Sequence, residues 1–351
     1  MPTACLRGLT RYTFLDENNQ RTFALDQYGN RVWGGHWNAN LITNTGLNAV
    51  ATERLMVYVD MSSTPQEFRA HLRIGTGSTA PAYTNSSLAN ELLEGELGEE
   101  EPLPGNSNGG FGDSNAFPDP SGGTIEAHLR VTRVITMVNA RNLTEYGFSR
   151  EALTSLNIRE LFRDESDNPI TISLGAGKKI RVDHTLIVSL PWGASAHTLS
   201  IQEYDISNAL VATHSISVNG VFVAASTAVR GRMFRTALPP QGVADNRKVI
   251  GRYLETPSSE PDVAATPSNE VFVESVAYTP GSHALEHYVT YTEAQVNGLS
   301  YGYVLKQFTE PGGSGNAALY GYRVAFQAPL TFEKLDTHTL RFAVVLSWAR
   351  A

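Results

Sequence analysis

Apolar and polar residues alternate with a period of two over much of the chain, which predicts strands rather than helices. The longest run is Ile125–Val138. Leu143–Arg150, Ile158–Phe162, Ile170–Leu174 and Lys179–Leu190 follow it. Asp164-Glu-Ser-Asp-Asn-Pro and Leu174-Gly-Ala-Gly-Lys supply turn residues between the last three. The second half repeats the style, with strands expected at Leu199–Tyr204, Ala209–Val218, Val221–Ala225, Val271–Tyr278, Tyr301–Phe308, Tyr320–Phe326 and His338–Trp348. Asn219-Gly220 reads as the strongest hairpin signal in the chain. Helical spacing is found in residues 41–54, where Leu47, Val50 and Ala51 share a face and Thr43, Asn44 or Thr45 can cap the start. Thr292–Gly298 is a second short helix candidate.

Together these elements predict an all-β fold, an antiparallel β-sandwich or jelly-roll-like body with one or two short helices and long loops. Residues 1–40 are polar and aromatic, with a turn at Tyr28-Gly29-Asn30, and read as an extended N-terminal arm that must lie on the body or on a neighbour. Residues 41–192 read as a β-sandwich domain interrupted by an acidic, Gly-rich insertion at about 94–123. Residues 193–351 read as a second β-rich region or an extension of the same sandwich. Residues 255–269 form a Pro/Ser-rich connector within it.

Charge sharpens this picture. The net charge over 351 residues is −8, with 27 bases and 35 acids. No Lys or Arg lies between Arg73 and Arg130, whereas Glu91, Glu94, Glu96, Glu99, Glu100, Glu101, Asp113, Asp119 and Glu126 all do. The rest of the chain is balanced and shows no basic patch in sequence, so neither nucleic acid nor a membrane surface is an expected partner. The acidic run is a solvated loop on the plainest reading. Its Glu99, Glu100 and Glu101 are the candidates for contact with a cation or a basic partner. No apolar stretch is long enough for a spanning helix, and no signal peptide is expected.

Candidate chemistry is sparse. The lone Cys5 excludes an internal disulfide framework and a Cys-rich zinc site. Gly75-Thr-Gly-Ser-Thr-Ala-Pro lacks the Lys and helix of a phosphate cradle. His283-Ala-Leu-Glu-His287 matches the H-x-x-E-H spacing of inverted zinc peptidases, but only a helix would bring its histidines together, and the flanking residues read as turn and strand. Gly193-Ala-Ser195-Ala lacks the last Gly of a nucleophile elbow. No catalytic set, metal site or cofactor is therefore expected. The most interface-like cluster is Trp33-Gly-Gly-His-Trp37, because little local core is available to cover Trp33, His36 and Trp37.

Several segments also resemble a recurrent pattern of tailed-bacteriophage virion proteins. They are Leu41-Ile-Thr-Asn-Thr-Gly-Leu, Leu72-Arg-Ile-Gly-Thr-Gly-Ser-Thr-Ala-Pro-Ala, Ser87-Leu-Ala-Asn-Glu-Leu, Ala140-Arg-Asn-Leu-Thr-Glu-Tyr-Gly-Phe, Ile158-Arg-Glu-Leu-Phe-Arg and Leu174-Gly-Ala-Gly-Lys-Lys-Ile-Arg-Val-Asp-His-Thr-Leu. The pieces occur in the family's order and span about residues 41–192. The stretch 94–123 looks inserted, and residues 193–351 extend beyond the pattern. The resemblance implies a non-enzymatic virion component of the tail, neck or fibre-attachment apparatus. Its expected partners are further copies of itself and other virion proteins. A capsid decoration protein and an adsorption protein binding a host surface glycan are the alternatives.

Overall fold

The computed structural model describes residues 3–51, 71–92, 97–102, 124–150, 155–191, 195–224, 248–253, 268–272, 274–275, 277–295, 298–300, 302–308, 318–326 and 332–351. The fold is all-β, antiparallel and sandwich-like, with one short helix among the described residues. Two compact units divide the chain: a first formed by Cys5–Ala116, Glu126–Val188 and Ala349–Ala351, and a second built mainly from Ser189–Trp348.

The first unit begins with β1 (Thr3–Leu15), β2 (Arg21–Thr22), β3 (Ala24–Leu25), β4 (Arg31–Val32) and β5 (Asn38–Ile42), followed by helix α1 (Asn44–Ala49). It continues with β6 (His71–Gly75), β7 (Leu97–Pro102), β8 (Thr124–Met137), β9 (Arg141–Leu143), β10 (Glu145–Ser149), β11 (Leu156–Leu161), β12 (Ile172–Leu174) and β13 (Lys179–Pro191). Strand neighbours run β6–β10–β11–β5–β1–β2, all antiparallel. A small sheet, β4–β3–β12–β9, joins the segment 24–32 to later strands. Every residue of β10 and β11 is buried, as expected for central strands covered on both faces. Tyr12, Tyr146 and Phe162 pack ring against ring at about 5 Å, at the heart of this core.

Within the expected arm, Thr3–Leu15 is a strand that contributes to the core. β1 alternates buried and part-exposed positions along its length, and Ala4, Leu6, Tyr12 and Phe14 belong to the core. The alternation is period two, but Gly8 and Thr10 occupy inward positions and blur its apolar signal. At Gly8 an added Cβ would lie 1.8 Å from the Asn40 side chain, so the closeness of β1 to β5 requires glycine there.

The second unit contains β14 (Ser195–Asp205), β15 (Leu210–Ala224), β16 (Lys248–Tyr253), β17 (Ser268–Phe272), β18 (Glu274–Ser275) and β19 (Ala284–Tyr291). Further along come β20 (Gly298–Ser300), β21 (Gly302–Phe308), β22 (Ala318–Phe326), β23 (Phe332–Lys334) and β24 (His338–Arg350). Its ladder runs β18–β19–β24–β14–β15–β22–β21–β16–β17. The expected turn at Asn219-Gly220 is absent: both residues lie inside β15, paired to Ala196 and Ser195 on one side and to Ala325 and Val324 on the other. Two flanking ladders outweigh the local turn propensity. In the candidate helix Thr292–Gly298, Thr292 and Gln295 close a turn instead, and Gly298 already belongs to β20. Residues 255–267 of the expected connector lie outside the described residues, and Ser268 and Asn269 begin β17.

Four turns share one construction. In Asp16–Gln20, Asp26–Asn30, Asp164–Asn168 and Asp205–Ala209, the aspartate Oδ1 accepts the N–H groups two and four residues ahead. The fourth residue of each takes the left-handed conformation: Asn19, Gly29, Asp167 and Asn208 have φ of 61°, 83°, 65° and 61°. This is a type I turn closed by a residue tolerant of positive φ. Hydrogen bonds donated to these aspartates hold Asp26, Asp164 and Asp205 below the usual carboxylate range.

Candidate interaction surface

Four of the segments singled out in sequence, within 72–82, 87–92, 140–148 and 158–163, meet in the first unit and build one buried polar knot. Glu145, in β10, accepts hydrogen bonds from the backbone N–H groups of Gly77, Ala89 and Asn90 at 3.0, 3.0 and 2.8 Å. Arg159, in β11, donates to Oε2 of the same carboxylate through Nε and Nη2, at 3.1 and 2.8 Å. Both side chains are essentially excluded from solvent. The remaining guanidinium donors reach Asn85 Oδ1 and the Thr79 carbonyl. One ion pair therefore ties the loop 76–92 to two central strands.

The motif glycines are explained by the same packing. A Cβ at Gly77 would sit 2.4 Å from Glu145 Oε1 and 2.5 Å from Ala89 Cβ. A Cβ at Gly46 would meet the Asn157 carbonyl at 2.1 Å. Thr43 caps α1 by accepting from Gly46 N–H, and its hydroxyl donates to the Leu156 carbonyl. Arg73 and Glu91 form a second ion pair between β6 and the loop end. These residues fix backbone geometry; they do not assemble a reactive centre.

The outward-facing chemistry lies at Trp33-Gly-Gly-His-Trp37. Gly34 and Gly35 adopt φ of 62° and 105°, and Gly35 N–H donates to the Tyr12 carbonyl at 2.8 Å. The tight approach to β1 leaves no room for a Cβ at Gly34, which would lie 2.3 Å from the Tyr12 oxygen. His36 turns inward. Its ring meets Tyr12 edge-on, and Nε2 lies 3.0 Å from the Arg163 carbonyl, so Nε2 carries the proton and donates. The Tyr12 hydroxyl donates to that same carbonyl, and burial pushes the phenol's pKa well up. Trp33 and Trp37 point the other way and remain 47% and 38% exposed.

Cations flank Trp37 and the Phe23 ring on which Trp33 packs. The guanidinium carbons of Arg11 and Arg130 lie 4.8 and 5.5 Å from the Trp37 ring centroid. Trp33 packs on Phe23, whose own ring lies 4.4 Å from the Arg31 guanidinium carbon and 5.5 Å from Lys178 Nζ. Arg11 also pairs with the buried Asp183, which Arg181 and the Thr132 hydroxyl bind as well. Burial pushes the Asp183 carboxyl up, but the Thr132 and Arg11 hydrogen bonds and the Arg181 charge outweigh it and hold the group below the usual range. Among the described residues Arg31, Arg130 and Lys178 have no carboxylate partner.

Of the residues singled out in sequence, Trp33 and Trp37 share this surface, whereas His36 supports it from within. Glu99, Glu100 and Glu101 lie on β7, whose register sets Glu100 opposite Ile135 and Glu101 opposite Val134 of β8. This part of the acidic run is strand rather than loop. Arg11, Phe23, Arg31, Arg130 and Lys178 carry no linear signal, because they converge from β1, β8 and three separate turns or strand ends. His283 and His287 are not a helical pair: His283 has φ of 47° just before β19, and His287 lies within that strand. Four residues of extended chain separate their backbones by about 13 Å, too far for one metal ion. Cys5 is a free thiol on β1.

Neither protein-family models, nor curated proteins, nor solved structures match this chain.

Proposed function

We propose that the chain is a structural component of a tailed-phage particle that assembles as a symmetric homo-oligomer in the tail, neck or fibre-attachment apparatus. The observation that carries this reading is the Trp33–Trp37 segment. Its backbone is pinned to β1, yet it leaves two indoles in solvent, one of them beside Arg130, which has no carboxylate partner among the described residues. Aromatic and arginine side chains held rigidly at a surface are the usual anchors of protein interfaces. The resembling segments support the same reading, since four of them meet in one knot.

Light scattering and negative-stain imaging of the full chain test it. A defined ring is expected for the wild type, and association at least tenfold weaker for Trp33→Ala/Trp37→Ala. Deleting residues 1–40 is not a useful test, because it removes Leu6, Tyr12 and Phe14 from the core. A monomer at all concentrations would refute self-assembly. Exposed indoles next to arginines also suit saccharide stacking, so glycan binding by the wild type, lost in the same variant, would favour the adsorption-protein reading.

A further inference from the structure

We infer that Trp37 and the guanidiniums of Arg11, Arg130 and Arg181 form a binding site for an acidic saccharide, a pyranose ring that carries a carboxylate. The inference goes beyond the assembly reading and does not rest on it. It concerns the Trp37 end of the exposed segment and leaves Trp33, on Phe23, for contact between copies. Three bases converge there on one acid. Asp183 is buried, and its oxygens are already in use: Arg11 donates to Oδ2 through Nε and Nη2 at 3.2 and 2.8 Å, Arg181 to Oδ1 through Nε and Nη2 at 3.1 and 3.0 Å, and the Thr132 hydroxyl to Oδ1 at 2.6 Å. A carboxylate offers about four lone-pair sites, so Asp183 holds its neighbours in place and has no capacity to spare. The arginines do. Their side chains are 30% and 29% exposed, and neither Nη1 has an acceptor among the described residues. Arg130 is exposed and has no carboxylate partner among them.

The choice of ligand follows from the pairing of this charge with an indole. Arg11 and Arg130 lie 4.8 and 5.5 Å from the centroid of the Trp37 ring, and Trp37 itself remains 38% exposed. A ligand that satisfies both must bring an apolar face and an anion close together. A hexuronate carries the two on one ring: its C–H face packs against an aromatic plate, and its carboxylate accepts from arginine. An acidic peptide side chain supplies the anion without the flat C–H face. Preorganisation favours binding as well. The Asp183 network fixes Arg11 and Arg181, and the Gly35 hydrogen bond to the Tyr12 carbonyl fixes the backbone that bears Trp37, so little freedom is lost when a ligand arrives.

Isothermal titration calorimetry on the full chain tests the site, with sedimentation of the same samples. The probes are hexasaccharides of galacturonate, glucuronate and mannuronate, each beside its uncharged methyl ester, and hexaglutamate. At least one acidic hexasaccharide should bind at least tenfold more tightly than its ester and than hexaglutamate. Arg130→Ser and Trp37→Ala should each weaken that binding at least tenfold, with thermal melts to verify folding. Arg130→Ser removes only a surface contact, so it keeps the test decisive if Trp37→Ala fails to fold. Arg7→Ser controls for general charge. Arg7 is exposed on β1, about 13 Å along the strand from Arg11 and beyond the screening length of about 8 Å at physiological salt, so its loss should change binding less than twofold. The inference is overturned if no acid outbinds its ester, if hexaglutamate binds as tightly, if Arg7→Ser loses as much as Arg130→Ser, or if neither Arg130→Ser nor Trp37→Ala loses binding. A ring that binds none of the acids refutes this site and leaves self-assembly intact. A monomer that binds one of them does the reverse.

Discussion

Replacing Glu145 by Gln is the most direct probe of the knot that joins the resembling segments. Glutamine can keep one oxygen in the place of Oε1, where it still accepts from Gly77 and Asn90. Its amide nitrogen then faces the Ala89 N–H and two Arg159 donors, where the carboxylate offered an acceptor. Leaving a buried guanidinium without its charged partner costs about 3–5 kcal/mol. One unmet backbone N–H adds about 1–3 kcal/mol, part of it shared with the first cost. A total of about 4–6 kcal/mol rivals the whole stability of an ordinary domain, roughly 5–15 kcal/mol. Arg159→Met should cost less, about 2–4 kcal/mol, because three backbone N–H groups still serve the carboxylate. The double variant should fall short of the sum by at least about 2 kcal/mol, since the residues act as a pair. Two compact units make a single global transition unsafe to assume. Native-state amide exchange in β10 and β11 reports the first unit alone, and the Gly77, Ala89 and Asn90 amides report the loop. A loss below about 1 kcal/mol for Glu145→Gln, or additivity within about 0.5 kcal/mol, would refute the knot as the element that fixes this loop.

Two further outcomes follow from the same geometry. Gly77→Ala and Gly46→Ala should each lower stability by about 2 kcal/mol or more, because the new methyl meets Glu145 or a backbone carbonyl. Gly175→Ala, with nothing within 4 Å of its Cβ position, should be neutral or slightly stabilising in the same thermal melts, so equal losses at all three sites would contradict the packing described. Asp183 supplies an acid-sensitive contribution: its folded-state pKa is depressed, so the stabilisation is complete above the unfolded value of about 4 and is lost as pH falls through the lower folded value. The stability gap between wild type and Asp183→Asn should therefore stay constant from neutral pH to about 5 and shrink below about 4; a gap unchanged down to about pH 2 would refute it.

The fold class was legible because long alternating runs survive in any context. Ile125–Val138 and His338–Trp348 became β8 and β24 almost residue for residue. The Asp164 turn and the Thr43 cap were legible for a local reason: an aspartate or threonine oxygen satisfies N–H groups two to four residues away, within one short window. Two features were not legible. β1 hides its inward face behind Gly8 and Thr10, so a 13-residue core strand reads as a polar arm. Asn219-Gly220 carries strong turn chemistry, yet β14 and β22 pair with it from both sides and hold it extended.

The site divides along the same line between local and non-local causes. Trp33 and Trp37 could be singled out because the residues near them in sequence offer no cover. The cations on Trp37 and Phe23 could not, since Arg11, Arg31, Arg130 and Lys178 reach those rings only when β1, the β3–β4 hairpin, β8 and the β12–β13 turn are in place. Arg130 and Lys178 show the point: one lies within β8 and the other follows β12, and only the folded sheets bring both against rings of the segment 23–37.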